Sequence, residues 1–573
     1  MNCKGVAWKM LFLFMVAVSP LWAAPDEGTP AAKVEFAKGE AAANAGDFLA
    51  AAEHYRKAVE IDPDYGEAHQ RYIDGLMYGS MKQKMKEWDE AHPKAASSDK
   101  GASDKAREER SAYESEKRNE KRATLSAQYQ KLAEQYPDKA IFRWVLGYLN
   151  DESDPRVAEQ DYLEAIKIDP KLARAYSSLW AEQDVMGEAS AKRETLRKAV
   201  ETFPADPNFL LYYATALEYV DPEEYKRISM EVVEKFPNSE RAPQALYWLA
   251  EHTADTDEKI RLLEVMKEKF PPAKFKIWVP SGMVVLFDIY DRVDRSKALS
   301  FAEQMLKSDT QKDDREIWAQ RVDYARLTIK ADKLLAEGNV TDALAVLDKV
   351  TVPRHMNPQL LDLLRARALD ASGDTAKAYS DLLKKFAVTP TDEVNLALNE
   401  YGKKLGKAPK QVESDIWSLR SANAHSATPF SLVNYSTGKP TSLQDFRGQV
   451  VLLNFWYPHC GPCRGEFPYV EAVLDKYKSQ GFNVVAVNIN PEEDKLVLPL
   501  LKGSRLDFVP LKGDVDWAEE AYKVSYEPTN FLIGRDGRVY FGPLGRINGA
   551  ESQRNLELQV EALLQQTTST STR

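Results

Sequence analysis

Over residues 30–420 apolar side chains recur at helical spacing, and alternating strand-like stretches are nearly absent. One punctuation mark keeps returning in "QYPDK", "KIDPK", "ETFPA", "EKFPN" and "EKFPP". It places Pro137, Pro170, Pro204, Pro237 and Pro271 at steps of 33, 34, 33 and 34 residues. Proline ends a helix, so its return at near-constant spacing predicts an array of helical repeats. An earlier copy, "NAGDFLAAAEHYRKAVEIDPD", ends at Pro63, and later copies are "AEGNVTDALAVLDKV" and "ASGDTAKAYSDLLKKF". In three copies a glycine (Gly46, Gly338, Gly373) is followed by Asp or Asn and then by alanines at helical spacing. Glycine accepts the left-handed conformation that closes a helix, and Asp or Asn opens the next.

Near residue 425 the period changes. "QVVLLNFW" (449–456) and "FNVVAVNI" (482–489) predict buried strands. Between them "GEFPYVEAVLDKYKSQG" predicts a helix interrupted early by Pro468. "DWAEEAYKV" reads as a further helix. "TNFLIGRDGRVYFG" reads as a hairpin turning at Asp536-Gly537, and "GAESQRNLELQVEALLQQ" as a closing helix. The fold class is therefore multidomain: an all-α helical solenoid followed by an α/β domain.

The repeats resemble the tetratricopeptide repeat, a helix–turn–helix unit of about 34 residues. The resemblance implies about seven to nine stacked units in a superhelix whose concave face holds a protein or peptide. They occupy 30–75, 123–275 and, in more degenerate form, 276–420. Residues 76–122, charged and poor in apolar side chains, read as a linker or a solvated helix. The α/β domain spans 426–566, and "TTSTSTR" at 567–573 reads as a disordered tail.

Composition sharpens this organisation. The net charge of −11 argues against nucleic acid as a partner, and 44% hydrophobic residues suffice for packed cores. Residues 1–23 read as a signal peptide: Lys4 and Lys9 precede a short apolar run from Met10 to Leu21, and cleavage is expected after Ala23. The expected product is soluble and exported, and the bacterial look of the leader suggests the periplasm. Cleavage would remove Cys3, one of only three cysteines, and leave Cys460 and Cys463. An exported chain normally places cysteines in structural disulfides. Here both are gathered at one point, which marks them as working groups.

The stretch "FWYPHCGPC" after a buried strand, with "GEFP" behind it and "YEPTNFLIGRDGRV" further on, resembles the thioredoxin superfamily. It is most similar to the exported TlpA/ResA branch, within the AhpC/TSA redoxin group. "PFSLVNYSTGKPTSLQDFRGQVVLLNFW" matches the entry segment of that branch. The resemblance implies a thioredoxin fold, thiol–disulfide exchange through a redox-active Cys460–Cys463 disulfide, and no cofactor. CGPC is also the pair of the reducing thioredoxins, which implies a potential toward their value of about −270 mV.

The residues carry the same reading. Cys460 falls where a strand gives way to a helix, and unpaired amides at a helix start favour its thiolate. Cys463, one turn further in, would resolve a mixed disulfide by attacking the Cys460 sulfur. A zinc site needs four ligands, and this pair with His459 offers three, so no metal is expected. Glu466 shares a helical face with Cys463 and can take or give its proton. The related branch carries a glutamate at this place. Cytoplasmic thioredoxins instead carry an acid six residues before the first cysteine, where Asn454 stands here. Pro528 matches the superfamily's cis-proline loop, whose backbone pairs with an extended substrate. Before it, Glu527 is a departure that would oppose thiolate formation or select basic substrates. His459 replaces the usual Trp and could pair with the thiolate. Trp456 is retained, as a packing or client-facing residue.

The leading expectation is an exported protein-disulfide reductase acting on disulfide-containing client proteins, fed by a membrane thiol electron donor, with repeats that recruit clients or partners. A peroxiredoxin-type peroxidase would need Pro-x-x-x-Thr/Ser-x-x-Cys, and "NFWYPH" ahead of Cys460 has no Thr or Ser at the needed place. A non-catalytic repeat scaffold with a redox-sensing domain is the remaining alternative.

Overall fold

The computed structural model describes residues 28–92, 100–151, 154–308 and 312–565. The signal segment 1–23 and the tail 567–573 lie outside them. Packing divides the chain into two units. One runs to Leu217 and takes in Asn490–Arg505; the other holds Glu218–Ile489 and the chain from Leu506 on.

In the first unit the described residues before Leu217 form helices joined by short turns. Helices end at Ile61, Gln135, Ile168 and Thr202, each two residues before Pro63, Pro137, Pro170 and Pro204. The intervening residue leaves the helical region because a following proline ring crowds it there. Gly46 turns at φ +82°, and Asp47 then caps the next helix by accepting the Ala50 amide at 3.0 Å. Gly147 lies against the ring of Tyr162, and Gly39 against that of Tyr55; a Cβ at either would collide with the aromatic carbons. Small residues thus let paired helices close on large rings. Residues 76–91 and 100–122 of the charged stretch belong to the helices Gly66–Ala91 and Lys100–Gln135. Met81 and Met85 of that stretch are buried, so one face is packed. The helix Asp494–Gly503 also belongs to this unit. Its Leu496 packs with Val185 and Met186, and Gly503 abuts the backbone at Met186 and Gly187.

In the second unit helices continue to Asn423, again ending two residues before Pro237 and Pro271. Gly338 and Gly373 take φ of +80° and +89°. An eight-stranded sheet follows: β1 (His425–Ser426), β2 (Ser431–Asn434), β3 (Pro440–Ser442), β4 (Val450–Trp456), β5 (Phe482–Asn488), β6 (Val509–Lys512), β7 (Thr529–Ile533) and β8 (Arg538–Leu544). Its order is β1-β8-β7-β4-β5-β6-β2-β3. Central β4 is buried along its whole length, parallel to β5 and antiparallel to β7. Both its neighbours are strands and both its faces are covered, which is why it reads as an apolar run broken only by Asn454. The helices of this unit's α/β domain are α1 (Gly461–Tyr477), α2 (Val515–Tyr522) and α3 (Gly549–Leu564). α1 runs through Pro468 without interruption, where the sequence predicts a break. A proline six residues beyond Pro462 forfeits a single amide, and the buried face from Cys463 to Tyr477 holds the helix together across it.

Candidate functional site

Cys460 is the residue immediately before α1, in extended conformation (φ −69°, ψ 95°), at the point where β4 hands the chain to the helix. Its sulfur accepts the Cys463 amide at 3.2 Å, one of the helix-start N–H groups that have no partner within the helix. These amides lower the cost of negative charge on that sulfur. Cys460 and Cys463 form a disulfide, with Cα atoms 5.3 Å apart. Cys463 is fully buried and Cys460 retains 4% exposure. Access therefore favours Cys460 as the first sulfur to meet another molecule.

Glu466, one turn after Cys463, is completely buried. Four hydrogen bonds converge on its carboxylate. The Asn454 side-chain amide donates to Oε1 at 2.7 Å, and that of Asn530 to both oxygens at 3.3 Å. The Ile547 backbone amide donates to Oε2 at 2.9 Å. Asn454 also donates to Asn530 Oδ1 at 2.8 Å, tying the two asparagines together across the β4–β7 pairing that sets them opposite each other. Burial pushes the Glu466 carboxyl up to about 7, against the lowering pull of the Ile547 amide, Asn530, Asn454 and the Arg546 charge. The donors limit the rise, and a group balanced near neutrality can both take and release a proton at physiological pH.

The other sequence-predicted residues divide. The Glu527–Pro528 peptide is cis. Pro528 is buried and Glu527 half-buried, and burial raises the Glu527 carboxyl. His459 is exposed, directly before Cys460. Trp456 is wholly buried, its ring edge-on to Phe467 at 5.1 Å between centroids. Full burial makes it a packing residue and leaves it no surface for a client to meet. Sequence reasoning did not find Asn530, Ile547 or Arg546, which contact Glu466 or act on its charge from 64 to 81 residues away in the chain. The available signal was a polar residue inside each of two buried strands, "VVLLNFW" and "TNFLI". Among the described residues no group of three or more His, Cys, Asp or Glu side chains could hold a metal ion, and no helix is long and apolar enough to cross a membrane.

The redoxin family model matches residues 422–542. The chain is similar to the thiol-disulfide oxidoreductase ResA of Bacillus subtilis (strain 168), 39% identical over 115 residues, which is 20% of this chain and 63% of that protein. It is also similar to ResA of Geobacillus kaustophilus, 35% identical over 133 residues, 23% of this chain and 75% of the relative. Among solved structures it resembles a thioredoxin-family thiol:disulfide interchange protein from Chlorobium tepidum, with 26% identity and a TM-score of 0.22, covering 25% of this chain and 97% of that one.

Proposed function

The chain belongs to the redoxin family as a thiol-disulfide oxidoreductase of the ResA type, and from that premise we propose that it reduces or exchanges disulfides in client proteins outside the cytoplasm. The observation that carries this reading is a cysteine pair at a helix start, backed one turn later by a buried carboxyl poised near neutrality.

The cycle uses the groups in place. Cys460 thiolate attacks one sulfur of a client disulfide; the S–S bond breaks, and the departing client thiolate takes a proton. Cys463 then gives its proton to the Glu466 carboxylate and attacks the Cys460 sulfur. The bond between Cys460 and the client sulfur breaks, a Cys460–Cys463 disulfide forms as in the structure, and the second client sulfur leaves as a thiolate that takes the proton held on Glu466. Two electrons have passed from the protein to the client, with one proton from Cys463 by way of Glu466 and one from solvent, where Cys460 left its own on ionising. A thiol donor at the membrane returns the pair to the dithiol by the same exchange in reverse. The helical repeats supply the surface on which clients or partners are gathered.

Reduction of insulin disulfides by the full chain, with dithiothreitol as electron source, tests the proposal. Wild-type protein accelerates the precipitation of insulin chains, and Cys460→Ser removes that acceleration entirely. Retention of the wild-type rate in the Cys460→Ser variant refutes it.

A further inference from the structure

Glu466 is held partly by a strap, Gly545–Gly549, between β8 and α3. The strap offers its Ile547 amide to the carboxylate, lays the Arg546 guanidinium 3.0 Å from where a Gly465 Cβ would stand, and accepts an Asn530 amide on the Gly545 carbonyl at 3.5 Å. Helices of the repeat array reach this strap. The Asn548 side-chain amide donates to Glu251 Oε2 at 3.4 Å, at the end of the repeat helix Arg241–His252. Tyr247 of the same helix lies in the electrostatic field of Arg546. A second link comes from the turn before the repeat helix Pro222–Lys235. There the Tyr219 hydroxyl faces that of Tyr469 on α1, and Tyr469 in turn faces the Gly549 amide at the strap's other end.

We propose that Glu251 and Tyr219 of the repeats are positioning residues for the proton-handling carboxyl, acting through the Gly545–Gly549 strap, so that the active site is completed by the helical array. This rests on the role given to Glu466 above. The groups acting on that carboxyl are Asn454 from β4, Asn530 from β7, and the Ile547 amide and Arg546 charge of the strap. Cys463 stands one turn before it on α1. Two of these four influences sit on the strap. A strap released from the repeats would loosen both, and each now lowers the carboxyl's affinity for a proton.

Stopped-flow reaction of the reduced full chain with 5,5′-dithiobis(2-nitrobenzoate) separates the two sulfurs without any client. In the first phase Cys460 attacks the reagent and releases one thionitrobenzoate, leaving the other on Cys460. In the second, Cys463 attacks that mixed disulfide, releases the second thionitrobenzoate and forms Cys460–Cys463. Glu251→Ala and Tyr219→Phe should leave the first phase unchanged and move the pH midpoint of the second upward by about half a unit, roughly a threefold slowing below the midpoint. Arg546→Gln should move it the same way, and Glu251→Gln, which keeps an acceptor for Asn548, should restore it. In a Glu466→Gln background the repeat substitutions should have no further effect. A wild-type second phase in both Glu251→Ala and Tyr219→Phe, or an equal effect with and without Glu466, overturns the proposal. Failure to reduce insulin with both phases intact would instead count against the client reaction alone.

Discussion

The repeats and the α/β domain each bury a glutamate, and the two are treated differently. Glu182, in the repeat helix Ala173–Val185, is 4% exposed, and its Oε1 has no hydrogen-bond partner. Burial, then the nearby Glu159 charge, pushes its carboxyl up to about 8 against the weaker pull of Arg156. Glu466 is buried more completely, yet its carboxyl stands lower, at about 7, because neutral donors and one cation face it. Burial sets the direction of a carboxyl's shift; directed donors set where it stops. A site that must pass protons needs the second kind.

The largest effect is expected at Glu466. Glu466→Gln should slow the second phase of thiol release roughly 100-fold while sparing the first. It should also erase the rise of that phase with pH through about 7, because the rise reports the carboxylate form. Equal slowing of both phases would mean that the glutamate acts through structure alone.

A smaller effect concerns stability. A folded-state carboxyl raised from 4.5 to about 7 makes the native state hold its proton longer than the unfolded chain does. Stability is then undiminished below about pH 4.5, falls as pH rises, and levels off above 7, a loss on the order of 3 kcal/mol. Glu182 loses stability over a window reaching about pH 8. Thermal melts from pH 4 to 9 should therefore show Glu466→Gln and Glu182→Gln each flattening the fall. Glu182→Gln should recover on the order of 2 kcal/mol at pH 8 and leave both phases of thiol release at wild-type rates. A change in redox kinetics in Glu182→Gln would erase the distinction between the two glutamates.

Local signals in the chain carried the repeats and the cysteine pair. Each proline at 33- or 34-residue spacing lies two residues past a helix end, because a proline acts on its immediate neighbours. Cys460, Cys463 and Glu466 lie within seven residues, so helical spacing alone puts the glutamate one turn from the inner sulfur. Pro468 misled, since the packing of α1 outweighs one missing amide. The rest of the site was hidden because tertiary pairing assembles it. Asn530 meets Asn454 through the β4–β7 register, and the Ile547 amide arrives from a strap with no sequence mark beyond its glycines. An asparagine within an otherwise apolar central strand was legible as an anomaly, but what it faced was not.

In the proposed cycle Cys460 captures a disulfide and Cys463 releases it. Mass spectrometry of the Cys463→Ser chain after incubation with a disulfide-bonded peptide tests this directly. The expected product is a stable adduct of one peptide thiol on Cys460, discharged by dithiothreitol and absent when Cys460 is also replaced by Ser. An unmodified Cys460 under conditions in which the wild-type chain reduces the same peptide would contradict it.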